Sequence, residues 1–140
     1  INIARGTKIT MIIGDLNRLK YINDTFGHIE GDYAIKTSAE AFSEAAATLG
    51  KNIGASCFRY GGDEFVLVSI GDSVTGEDYM NYISDCLSRQ SSKDGKPYDV
   101  SVTMGASSGV ISENLSFDEL LSVADAQMLN EKKRRHTGRM

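Results

Sequence analysis

The chain has 140 residues, 41% of them hydrophobic and 24% charged, a composition that suits one packed core and excludes disordered, collagenous and membrane-bundle classes. Its net charge of −4 excludes broad attraction to nucleic acid, so any phosphate ligand has to be held by local groups. No apolar run approaches the ~20 residues a spanning helix requires, and the first residues lack the charged-then-apolar layout of a signal peptide. A cytoplasmic domain without membrane contact is expected.

Lys8 to Ile13 is a short apolar, β-branched run that stops at Gly14-Asp15, the pattern of a strand buried on both faces with Asp15 at its carboxyl end. From Gly31 to Leu49, Ile35, Ala39, Phe42, Ala46 and Leu49 recur at spacings of three and four. This predicts an amphipathic helix with Asp32 as N-cap and Gly50 as stop. Ser56 to Ser69 carries strand-like residues on both sides of Gly61-Gly62, which predicts a β-hairpin with positive φ at its turn and with Asp63 and Glu64 at its tip. Tyr79, Ile83, Cys86 and Leu87 mark a further helix. Gly95-Lys96-Pro97 breaks the chain before a strand around Val100 to Ser107. Ser116 and Glu119 form a capping box before the last helix, whose apolar stripe is Phe117, Leu120, Ala124 and Met128.

Strands alternate with helices except at the hairpin, so the fold class expected is α/β, with a mixed central sheet and helices on both faces. No repeat or linker divides residues 1–140. Cys57 and Cys86 match no metal or redox spacing and are expected to be reduced and mostly buried. The basic run Lys132 to Arg135 suits either a solvated helix end or a phosphate grip.

Two glycines followed at once by two carboxylates combine a place where another backbone can approach with hard oxygen ligands. Magnesium is held by one or two such carboxylates alongside water and substrate phosphates. If the hairpin pairs beside the first strand, Asp15 and Asp63 converge, which is the layout of a metal-assisted phosphoryl-transfer site.

The runs RYGGDEFVLV at 59–68 and GDLNRLKYINDTFGHIEGD at 14–32 closely resemble the GGDEF family, whose second motif reads D-x-D/N-x-F/L-K-x-x-N-D-x-x-G-H-x-x-G-D. Similarity continues through SVTMGAS at 101–107 and VADAQMLNEKK at 123–133. The family's usual D-x-L-T-G-L-x-N-R segment would lie upstream of Ile1, so the chain looks like one GGDEF domain without it. The resemblance implies a nucleotide-cyclase or polymerase-palm-like sandwich and diguanylate cyclase activity, in which the ribose 3′ hydroxyl of one GTP attacks the α-phosphorus of another, twice, releasing pyrophosphate.

Residue by residue, it implies magnesium or manganese held by Asp15, Asp63, Glu64 and the Leu16 carbonyl. Asp63 or Glu64 would assist the metal in removing the hydroxyl proton. Asn23 and Asp32 match the guanine-reading positions, and a carboxylate can accept from the base's N1–H and amine. Lys20 and Lys132 match lysines that contact the triphosphate, and Gly61 and Gly62 let the turn lie against phosphate or ribose. Catalysis would need a homodimer, driven by an upstream sensory or receiver domain. Phe26, Leu19 and Tyr33 are expected in the core, His28 in a loop-securing hydrogen bond, and Arg59 either orienting a carboxylate or pairing at the strand edge.

Departures are also legible. In the last helix Leu129 takes the family's Tyr place and His136 that of the final Arg. Arg135 is adjacent and is taken as the substitute, although one residue turns a side chain ~100° about a helix. Asn52-Ile53-Gly54-Ala55 stands where an inhibitory R-x-x-D would lie, so product inhibition through that site is not expected. The alternative function is a degenerate GGDEF domain that binds GTP as a regulatory or scaffolding module. A more distant one is an unrelated metal-binding structural domain.

Overall fold

A computed structural model describes residues 4–138, with side chains through Arg135. The first apolar run forms β1 (Lys8–Leu16) and is buried on both faces. Side chains alternate along a strand, so Ile12 and Leu16 enter one core while Ile9, Met11 and Ile13 enter the other. Two helices follow, α1 (Leu19–Phe26) and α2 (His28–Leu49), then the hairpin β2 (Ala55–Arg59) and β3 (Glu64–Ile70). The chain continues through α3 (Gly76–Asp94), β4 (Val102–Val110) and α4 (Phe117–Gly138).

The α/β class holds, with helices on both faces, but the sheet is not mixed. Its order is β2-β3-β1-β4 and every neighbouring pair is antiparallel. Each helical crossover joins two strands of the same direction, yet a third, opposed strand lies between them, as in a split β-α-β arrangement. Strand and helix alternation therefore misleads about pairing: β1 and β2 run alike without touching.

The larger core lies between the sheet and α1, α2 and α3, centred on Phe42, Phe65, Tyr79 and Ile83. The smaller one lies under α4, where Leu120, Leu121, Ala124 and Met128 meet Val66 and Val68. Gly105 of β4 permits this second layer: a Cβ there would collide with the Ala124 carbonyl and stand 2.6 Å from the Met128 amide nitrogen. The α4 backbone thus rests directly on β4. Both cysteines are free, Cys86 buried and Cys57 partly so.

Several element ends differ from the sequence reading. Asp32 is not an N-cap, because α2 begins at His28 behind Gly27, whose φ of 97° and ψ of 163° end one helix and open the next. Helix α1 is not among the elements expected from periodicity; Leu19, Ile22 and Phe26 carry its three- and four-residue spacing. β1 runs on to Leu16, and β4 covers Val102–Val110 rather than Val100 to Ser107. At Ser116 the expected cap is present, its hydroxyl accepting from the Glu119 N–H at 3.1 Å. No helix among the described residues is long and apolar enough to cross a membrane.

Candidate active site

Asp15 stands next to the end of β1, with Glu64 of β3 and Thr103 of β4 as its register partners. The hairpin tip is tied to the same place, since the Leu16 N–H donates to the Asp63 carbonyl at 2.9 Å. Asp15, Leu16, Asp63 and Glu64 therefore meet at one end of the sheet, as convergence of the hairpin on the first strand requires. Lys132 arrives from α4 and its ammonium pairs with Asp15 Oδ2. The seating of α4 on Gly105 makes that reach possible.

Electrostatics at this end are strained toward the neutral acid. Burial pushes the Asp15 carboxyl above its ordinary range, the Lys132 ammonium opposes the shift, and the Asp63 carboxylate adds to it. Burial also raises Glu64, with Asp15, Asp125 and Asp63 contributing and Lys132 opposing. Asp15 Oδ1 is buried without a hydrogen-bond partner, and a buried acceptor left unpaired costs stability. A cation with open coordination positions would satisfy it, so the donor set fits a divalent metal. Among the described residues no three acidic, histidine or cysteine side chains form a metal cage by themselves.

Asn23 of α1 and Asp32 of α2 lie on either side of the Gly27 joint. The Asn23 amide covers Gly31, where a Cβ would collide with Asn23 Oδ1. Asp32 is exposed on the first turns of α2, so both polar groups are presented at one corner.

The family model described as "Diguanylate cyclase, GGDEF domain" matches residues 1–138. The chain belongs to the GGDEF family. It is 26% identical over 133 residues to Diguanylate cyclase DosC of Escherichia coli, covering 92% of this chain and 27% of that protein. The chain thus spans about a quarter of that relative's length. Among solved structures it matches the GGDEF domain of DgcB from Caulobacter crescentus at TM-score 0.71 and 24% identity, over 91% of this chain and 74% of the other. An EAL/GGDEF domain protein from M. capsulatus matches at TM-score 0.69 and 26% identity, over 92% and 81%.

In this GGDEF domain the signature turn is not built as the sequence suggests. Neither Gly61 nor Gly62 has positive φ. Instead Arg59 Nε donates to the Gly61 and Gly62 carbonyls at 3.2 and 3.0 Å, and a second guanidinium nitrogen also reaches Gly62. Arg59 thus pairs with Phe65 in the edge strand β2, and among the described residues its guanidinium has no carboxylate partner. It braces the turn. A Cβ on Gly62 would meet nothing within 4 Å, which leaves that side of the turn open.

Not every residue named from sequence comes to the Asp15 end. Lys20 is exposed and pairs with Asp24 at 2.6 Å. Arg135 lines a groove of about 330 Å³ with Met80, Thr103, Gln127 and Glu131, in which Thr103 is the register partner of Asp15. His28 is exposed at the first position of α2, and the His136 side chain lies outside the described residues. Asn17 serves the scaffold, donating to Ser101 at 3.0 Å and accepting from Thr103 at 2.8 Å. Asp125 is the acidic neighbour that the sequence reading does not name. Its signal was present, for it precedes Lys132 by seven residues and so shares a helix face with it.

Proposed function

We propose that the chain is the catalytic domain of a diguanylate cyclase, condensing two GTP molecules into cyclic di-GMP and two pyrophosphates. The observation that carries this reading is the buried, unpartnered Asp15 Oδ1 at the end of the sheet that also carries Asp63 and Glu64. Asp15, Asp63, Glu64 and the Leu16 carbonyl would hold magnesium or manganese, which would supply Lewis acidity and neutralise charge on the phosphates.

The protein groups do the rest. Lys132 releases Asp15 and takes phosphate charge, Lys20 and Arg135 add cations by side-chain movement, and the open face of Gly62 gives the nucleotide room. Asp32 accepts from guanine N1–H and its amine while Asn23 donates and accepts beside it. The 3′ hydroxyl loses its proton to Asp63 or Glu64. Each domain binds one GTP, so two domains face one another during reaction, brought together by an upstream module.

The test is GTP turnover with magnesium at high protein concentration, following cyclic di-GMP and pyrophosphate. Wild type should form both, and Asp63→Ala should lose at least a hundredfold in rate. GTP binding without any product would favour the regulatory, degenerate reading instead.

A further inference from the structure

The corner that presents Asn23 and Asp32 depends on a single glycine. Gly27 is the only residue between α1 and α2, and one backbone joint cannot by itself fix the angle between two helices. A brace arrives from the segment between α3 and β4. Tyr98 is 9% exposed, and its ring packs against Phe26 at the end of α1 with centroids 5.1 Å apart. Its hydroxyl donates to Glu30 Oε1 in the first turn of α2 at 2.7 Å. One side chain thereby touches the last residue of α1 and the third residue of α2.

The brace is reinforced around Glu30. Lys96 Nζ pairs with the same Oε1 at 2.9 Å and lies 4.5 Å over the Tyr33 ring. The Tyr33 hydroxyl in turn donates to Asp94 at the end of α3, which also accepts from Gln90 at 2.9 Å. Burial, then the Glu30 carboxylate, push the Tyr98 hydroxyl up, so it remains a donor. Gly31 and Asp32 follow Glu30 directly, and Asn23 lies over Gly31.

We infer that Tyr98, acting through Glu30 with Lys96, is a positioning residue that sets the distance between Asn23 and Asp32 and thereby the selectivity for guanine. This rests on the assignment of Asn23 and Asp32 as the base-reading pair. A recognition pair must be held in geometry before binding, because a site built to hydrogen-bond a polar edge discriminates only when its groups are already in place.

Calorimetric binding of GTP and of inosine triphosphate to the full chain, with magnesium, tests it. Inosine triphosphate lacks the exocyclic amine and so reports on Asp32. Tyr98→Phe keeps the ring against Phe26 and removes only the hydroxyl. It should weaken GTP about five- to tenfold, weaken inosine triphosphate less, and leave the melting temperature within a few degrees. Glu30→Gln, on the half-exposed partner, should narrow the preference in the same direction. Wild-type preference in both variants overturns the inference while leaving guanine reading intact. A fall in melting temperature with the preference unchanged also overturns it, as the mark of a purely structural role. If wild type itself shows no preference for GTP, the base-reading assignment fails and the inference falls with it.

Discussion

Burial at the end of β1 works against a charged Asp15 carboxylate, which the proposed function requires to hold a cation. Lys132 relieves part of the conflict through Oδ2, and Oδ1 is left unpaired. The domain therefore carries its metal-free charge repulsion as a local cost, an arrangement common where function and stability compete. Cys86 illustrates the opposite case, a buried group with no charge to maintain. Burial pushes its thiol up to about 11, and the Glu44 carboxylate 3.2 Å away adds to the shift. The folded value stands above the ordinary 9.0, so the neutral thiol favours folding fully below pH 9 and loses that advantage as pH rises toward 11. Urea denaturation should therefore show wild type losing about 1 to 2 kcal/mol relative to Cys86→Ala across that interval. Parallel pH profiles for the two proteins would refute the shift. At this scale the sequence was informative wherever chemistry came packed in a motif, as for Asp15, Asp63 and Asn23. Tyr98 was invisible because what matters about it is contact across the fold, whereas the seven-residue spacing of Asp125 from Lys132 could have revealed it.

Apart from α1, helix and strand identities followed from periodicity, but their ends followed from contacts that periodicity does not report. The start of α2 is set by Gly27, not by Asp32, and the consequence favours function, since Asp32 is exposed instead of spent on capping backbone amides. The hairpin was legible from two β-rich runs around Gly61-Gly62, whereas the positive φ expected at those glycines is not found. Their φ values are ordinary, and Arg59 supplies the bracing. The open space beside Gly62 is consistent with the room for a ligand that the sequence reading expects. Gly62→Ala should leave urea stability within about 0.5 kcal/mol and lower cyclic di-GMP formation at least tenfold through misplacement of the nucleotide. Full activity in that variant would mean that the open side of the turn is not where the nucleotide lies.

Across the molecule, the α/β class and the two-faced burial of β1 were legible because an unbroken apolar strand needs a layer on each side. The antiparallel pairing was not, since local alternation carries no information about which strand inserts between two others. That insertion is what brings the hairpin tip beside the end of β1, and α4 closes the same end with Lys132. The expectation that two domains cooperate belongs to the proposed function, in which each domain holds one GTP. The most direct measurement is the initial rate of cyclic di-GMP formation over a tenfold range of protein concentration in which sedimentation finds mostly monomer. The account predicts specific activity that rises nearly in proportion to concentration. Constant specific activity over that range would show that one domain completes the reaction alone and would contradict the half-site assignment.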